Sequence, residues 1–148
     1  MILLDTNVLT RITRSRDPQS GVARAAIQTL MKRHERLIVV PQNLYEFWAV
    51  ATRSSGPPPA GANGLGMTPS QAGQWLRFFE RRFTLLHDRD DLTKLWRALV
   101  ERLGITGFRA HDARLVAAMQ SYGIDRLLTF NVAHFRKLPV TVLDPATV

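Results

Sequence analysis

Short continuous aliphatic runs alternate along this chain with longer stretches in which apolar side chains return every three or four residues. Met1–Leu4 and Leu37–Val40 are uninterrupted apolar runs, the pattern of strands buried on both faces of a parallel sheet. Phe83–Leu86, Arg126–Phe130 and Val140–Leu143 read as three further strands. Helical stretches lie between them. Residues 6–14 make a short one, and in 20–34 Val22, Ala26 and Leu30 recur at helical spacing beside Ile27 and Met31. Pro41 punctuates the second strand, and 42–54 carries the stripe Leu44, Phe47, Trp48 and Ala51. Thr68, Pro69 and Gln71 supply an N-cap, a first-position proline and a capping box, opening a helix with the apolar face Trp75, Leu76, Phe78 and Phe79. In 90–103, Leu92, Leu95, Trp96, Leu99 and Leu103 keep the helical period until Gly104; 110–122 carries Leu115, Val116, Met119 and Tyr122 and stops at Gly123. Residues 54–66 are rich in glycine and proline without any period, which predicts a flexible loop.

Strands alternating with helices imply right-handed crossovers between parallel strands. The expected fold is therefore α/β, a three-layer α/β/α arrangement with a central, mostly parallel sheet of four to five strands. At 148 residues the chain is expected to form one domain, 1–148, large enough to bury roughly 68–70% of its unfolded surface. In such sheets the working side chains gather beyond the carboxyl ends of the strands.

Composition narrows the chemistry. Cysteine is absent, which excludes disulfides, thiolate nucleophiles and cysteine-bound zinc. No apolar run approaches the length needed to span a bilayer, and the chain opens directly into Met1-Ile2-Leu3-Leu4-Asp5 rather than a basic segment and apolar core. A cytoplasmic location is the expectation. The net charge of +8 comes from twenty basic residues against twelve acidic ones, and seventeen of the twenty are arginine. Guanidinium groups bind phosphates bidentately and stack on bases, so a polyanion, nucleic acid first, is the natural partner. A merely soluble basic surface, or an acidic protein partner, explains the same charge equally well.

The few acidic residues repay individual attention. Asp5 ends the first strand, where an N-cap is the ordinary role. Glu46 follows the second strand within Tyr45-Glu46-Phe47-Trp48, ordinarily an exposed helix position, although no basic residue stands at helical spacing to neutralise it. Asp112 lies in the first turn of the 110–122 helix, where it complements the helix dipole and where Arg109 offers an ion pair. Each ordinary role suffices alone. Together the three put oxygen donors at the carboxyl edge of one sheet, with Thr129 and Asn131 after the fourth strand beside them. Without cysteine or a histidine pair, such a set suits Mg²⁺ or Mn²⁺ better than zinc. A basic surface around a carboxylate-held cation describes an enzyme that cleaves phosphodiesters.

These residues carry a resemblance to the PIN-domain family, and specifically to the VapC-type ribonuclease toxins of prokaryotic toxin–antitoxin pairs. Leu4-Asp5-Thr6-Asn7-Val8-Leu9 is similar to the family's opening motif, and Glu46 matches its second acidic position. His111-Asp112-Ala113-Arg114-Leu115-Val116-Ala117-Ala118 resembles the third, and Leu128-Thr129-Phe130-Asn131-Val132-Ala133-His134-Phe135 the fourth. The resemblance implies a Mg²⁺- or Mn²⁺-dependent endoribonuclease that leaves a 5′-phosphate and a 3′-hydroxyl. Asp5, Glu46 and Asp112 would hold the metal, Thr129 and Asn131 would position ligands at the rim, and Thr6 or Asn7 would brace the first loop. It also implies a small antitoxin partner and a homodimer. Many relatives place aspartate where this chain has Asn131, and a neutral amide argues against a second metal ion.

Alternatives stay in view. A haloacid-dehalogenase-like phosphatase also begins with a strand-end aspartate but needs a second one two residues on, where Asn7 stands. Histidines 34, 87, 111 and 134 are scattered, a poor basis for a metal-independent ribonuclease. A PIN fold kept only for binding RNA or protein is the remaining alternative. Arg77, Arg81 and Arg82 are candidates for an RNA track or, more plainly, a solvated helix face. The 54–66 loop is a candidate lip of the RNA entrance. The aromatic pairs Phe47/Trp48 and Trp75/Phe79 suit core or dimer contacts better than base stacking.

Overall fold

The computed structural model describes all of residues 1–148. Its order is β1 (Ile2–Leu4), α1 (Thr6–Ile12), α2 (Pro18–Lys32), β2 (Leu37–Val39), α3 (Pro41–Thr52), α4 (Pro69–Arg82), β3 (Thr84–Leu85), α5 (Leu92–Leu103), α6 (Arg109–Ser121), β4 (Arg126–Leu128) and β5 (Thr141–Leu143), with short 3₁₀ turns at Val132–Phe135 and Pro145–Thr147. The five strands form one sheet in the order β3-β2-β1-β4-β5, and every neighbouring pair is parallel. Sequence pattern located all five strands and all six helices. The strands are shorter than the predicted runs at one end or both; after β4 the chain leaves the ladder at Thr129 and Phe130 for the loop that helps to build the site.

Alternation along each buried strand assigns the two faces. Ile2, Leu4, Leu37, Val39 and Leu128 point into a core filled by α1, α2, α3 and α4. Leu3, Ile38 and Leu127 point into a second core beneath α5 and α6. Both faces are covered, as parallel sheets require, and this is why the inner strands β1 and β2 are apolar throughout.

Local signals act where expected. Thr68 Oγ1 accepts the Gln71 N–H at 3.2 Å and Gln71 Oε1 accepts the Thr68 N–H at 2.9 Å, a reciprocal capping box. Pro41 is the first residue of α3 rather than a mere end to β2, a position that suits its missing N–H. Gly104, at φ +59°, closes α5: its N–H reaches Glu101 O at 3.4 Å and the Ile105 N–H reaches Val100 O at 3.0 Å. Residues 54–66, expected to be a flexible lip, instead fold on themselves. Backbone bonds run from Gly64 N to Ser54 O at 2.9 Å and from Gly66 N to Arg53 O at 2.8 Å. A Cβ on Gly64 would lie 2.2 Å from Arg53 O, so glycine here permits close backbone approach. The loop is anchored to the last turn of α3, where Met67 N–H reaches Ala51 O at 2.8 Å.

Parallel register sets the stage for function. β1 lies between β2 and β4, so chain connections leave it toward opposite sides of the sheet. That is the switch point at which open α/β sheets form a crevice beyond their carboxyl ends. Leu4 pairs with Leu128, and the Asp5 N–H donates to Leu128 O at 2.9 Å, placing Asp5 beside Thr129.

Candidate active site

Asp5 occupies the N-cap position of α1, yet its side chain makes no capping bond. Its Oδ2 instead accepts the Thr129 hydroxyl at 2.6 Å and the Asn7 amide at 2.8 Å. Asn7 Nδ2 also donates to Thr129 Oγ1 at 2.9 Å, while Asn7 Oδ1 accepts the Phe130 N–H at 3.2 Å. Thr129 Oγ1 accepts the Asn131 N–H at 2.9 Å. Thr129 is fully buried, so the hydroxyl that sequence placed at the rim acts as an internal brace for Asp5. The Asn131 side chain is exposed at the start of the 3₁₀ turn.

Glu46 is half-buried on α3 and tied down at both oxygens. Thr6 donates to Oε2 at 2.7 Å, and the Gln42 amide donates to Oε1 at 2.7 Å. The missing neutralising base is thus replaced by hydroxyl and amide dipoles. Gln42 also donates to His111 O at 2.9 Å and accepts from Arg114 Nη1 at 3.0 Å, joining α3 to α6. Arg114 is held in turn by Asp88 at 2.6 Å. Asn43, fully buried, donates to Leu4 O at 3.0 Å and accepts the Val40 N–H at 2.8 Å, fixing the start of α3 against β1. Sequence reading missed Gln42, Asn43 and Arg114. For Gln42 and Asn43 the one signal was a pair of amides opening a helix directly after a buried strand, where an apolar residue would pack more cheaply.

Asp112 is set differently. Its Oδ2 lies 3.4 Å from Arg109 Nη1 and 3.6 Å from His134 Nδ1. Burial raises its carboxyl above the usual range, Glu46 adds to the rise, and the His134 and Arg109 contacts oppose it. Asp5 is pushed up to about 6, chiefly by burial and further by the charges of Glu46 and Asp112, against the Thr129 and Asn7 hydrogen bonds. The three carboxylates therefore sit within electrostatic reach of one another.

They do not form a ready cage: no three acidic or histidine side chains stand close enough to enclose an ion. Their donor chemistry fits a hard divalent cation nonetheless. All three are carboxylates, and the ionised form of Asp5 is opposed by burial and by two like charges, a penalty that a dication relieves. Such a cation would be held partly through water, the usual habit of Mg²⁺.

The arginines expected on an RNA track lie elsewhere. Arg82 joins Arg24, Ile12, Trp75 and Phe78 around a groove of about 530 Å³ that includes none of the three carboxylates. Phe47 and Phe79 are core residues in edge-on contact at 4.9 Å, whereas Trp48 is 38% exposed.

The PIN domain family profile matches residues 2–140. The chain belongs to the PIN domain family. Its strand-end Asp5, its Glu46 and its Asp112-to-Asn131 segment all lie within that match. Solved structures share the fold of this PIN domain at low identity. VapBC2 from Rickettsia felis bound to a DNA fragment from its promoter superposes with a TM-score of 0.68 at 17% identity, covering 97% of this chain and 98% of that one. A toxin–antitoxin complex from Klebsiella pneumoniae gives 0.66 at 19%, covering 98% of each chain. Mycobacterium tuberculosis VapC20, described as a sarcin-ricin loop cleaving toxin, gives 0.64 at 16%, covering 95% of this chain and 98% of that one. A search of curated proteins found no match. No helix of this PIN domain is long and apolar enough to cross a membrane.

Proposed function

We propose that this PIN domain is a metal-dependent endoribonuclease of the VapC type, the toxin of a type II toxin–antitoxin pair. The observation carrying this reading is that Asp5, Glu46 and Asp112 converge from β1, α3 and α6 on one sheet edge, near enough that the Glu46 charge helps to raise the carboxyls of Asp5 and Asp112. Asp5, Glu46 and Asp112 would hold Mg²⁺ or Mn²⁺. Such an ion, when bound, supplies a water that ionises near neutral pH and offsets charge developing on phosphate.

The protein's own part is positional. Thr129 and Asn7 fix the Asp5 carboxylate, while Thr6 and Gln42 orient both oxygens of Glu46. Groups held this way need no rearrangement as charge develops. Asn131, exposed and neutral, orients water or the scissile phosphate, and its lack of charge favours one ion over two. RNA is supported as substrate by the +8 charge and by the cleaving activity named for VapC20. A small antitoxin is supported as partner by the toxin–antitoxin neighbours. The reading further takes the chain as one nuclease domain, 1–148, acting as a cytoplasmic homodimer.

The test is cleavage of an end-labelled RNA pool by purified chain in Mg²⁺ or Mn²⁺, with Asp112→Asn beside it. Metal-dependent products absent from the folded variant are expected. Products that persist in both the variant and EDTA would overturn the carboxylate mechanism. A folded wild-type chain that cleaves nothing would favour a binding-only PIN domain.

A further inference from the structure

Beside Asp112 opens a cleft of about 390 Å³ between the α5–α6 connection and the 3₁₀ turn after β4. Its walls include Ile105, Arg109, Asp112, His134, Arg136 and Lys137. Four of these six side chains are basic or imidazole, against a single carboxylate. Arg109 and His134 already face Asp112, at 3.4 and 3.6 Å. Arg136 and Lys137 are exposed and form no ion pair, so their charges are uncommitted.

A second feature reaches this cleft through Arg109. Phe108, the residue before α6, is 71% exposed, although aromatic rings of that size are ordinarily packed away. Its ring carries the Arg109 guanidinium 5.6 Å from its centroid. That contact leaves much of the phenyl surface open beside the basic wall. Uncommitted cations next to an exposed aromatic are the two elements by which proteins hold single-stranded nucleic acid: charge follows the backbone and the ring stacks a base.

We propose that this cleft is the subsite for the RNA strand adjoining the scissile phosphate, with Arg136 and Lys137 binding phosphodiester oxygens and Phe108 stacking a base. The inference rests on the nuclease reading and adds to it the form of substrate. Arg109 lies between ring and carboxylate, so a base on Phe108 brings its neighbouring phosphate toward Asp112. An unstacked base is needed, which selects single-stranded RNA over duplex. The arginines of α4 take no part: Arg77, Arg81 and Arg82 lie near the end of a helix that leads into the amino end of β3, whereas the carboxylates gather beyond the carboxyl ends of the strands.

The test is fluorescence anisotropy with a short fluorescein-labelled single-stranded RNA of mixed sequence, in EDTA so that nothing is cleaved. The double variant Arg136→Ala/Lys137→Ala should bind roughly tenfold more weakly at moderate salt. Its salt slope should fall by about 1.4, from roughly 0.7 per phosphate contact on a single strand. Phe108→Ala should also bind about tenfold more weakly, within the range for loss of one base stack, but with an unchanged salt slope. Arg77→Ala/Arg81→Ala should bind like wild type, and a duplex of the same sequence should be indifferent to Phe108. All of these positions are exposed, so circular dichroism should show intact folding.

Wild-type affinity and slope in both cleft variants would overturn the subsite. So would a Phe108→Ala chain that changes its sedimentation but not its RNA binding, since the ring would then be a protein contact. If wild-type chain itself fails to bind the RNA, the ribonuclease reading falls and the subsite with it, an outcome distinct from equal binding by parent and variants.

Discussion

Asp5 is 9% exposed and lies under a network of donors, whereas the Asp112 side chain is 24% exposed and faces two cationic or imidazole partners. Both belong to one site, but their surroundings divide the labour. At Asp5 the dominant influence is loss of water, softened by Thr129 and Asn7. At Asp112 burial is partial and the countering groups, His134 and Arg109, stand on the wall of an open cleft. A buried carboxylate braced by side chains from α1 and from the segment after β4 cannot move far. One that shares its partners with a solvent-filled cleft is placed to meet substrate. The pair shows how an α/β edge combines a rigid anchor with an accessible neighbour.

The largest expected effect tests what the two share. Asp5→Asn and Asp112→Asn should each lower metal-dependent RNA cleavage by about a thousandfold, the scale of several kcal/mol of lost transition-state stabilisation. Single-turnover assays with end-labelled RNA would read this, and near-normal cleavage by either variant would remove that carboxylate from the site.

Stability should then separate them. A carboxyl whose folded-state pKa is raised contributes stability below its unfolded pKa and loses it as pH climbs through the folded value. For Asp5, raised from 3.8 to about 6, metal-free chain should become less stable between about pH 4 and 7, by at most about 3 kcal/mol. Asp5→Asn should flatten that dependence and raise the melting temperature in EDTA at pH 7. Asp112→Asn should change the melt far less. Equal melting shifts in the two variants would erase the contrast drawn here.

The bracing side chains offer a finer cut. Thr129→Val keeps the shape but removes a buried hydroxyl that serves Asp5, Asn7 and Asn131, and should destabilise by about 1–3 kcal/mol in denaturant titrations. Arg109→Ala breaks a part-exposed pair with Asp112 and an exposed contact with the Phe108 ring, and should stay within about 1 kcal/mol. A similarly modest effect, on rate, concerns Glu46. Gln42→Leu removes one of its two donors and should reduce kcat by about tenfold with KM for RNA little changed. A matched loss in KM would instead indicate that α6 had shifted.

Much of this arrangement was legible beforehand, for identifiable reasons. Apolar runs revealed the strands because a sheet covered on both faces has no polar side. The Thr68/Gln71 capping box and Gly104 showed helix ends because those interactions are local in the chain. The three carboxylates could be named because each closely follows a strand end or opens a helix. Their surroundings could not. Asn7 looked like an optional brace and proved to bridge Asp5, Thr129 and Phe130. Gln42 was not a candidate in the sequence, yet it couples Glu46 to α6. The 54–66 loop looked unstructured because its bonds are between backbone groups, which composition does not report.

The amino-acid sequence by itself determined the elements, the parallel sheet they imply, the basic surface and the identity of the acidic residues, since periodicity, caps and charge act over a few positions. Only the tertiary structure decided which of those residues meet. Asp5 and Thr129 lie 124 positions apart, and Thr6 and Glu46 lie 40 apart. Their contacts exist because β1 sits between β2 and β4 in parallel register, and pairing across such distances is set by packing of the whole sheet.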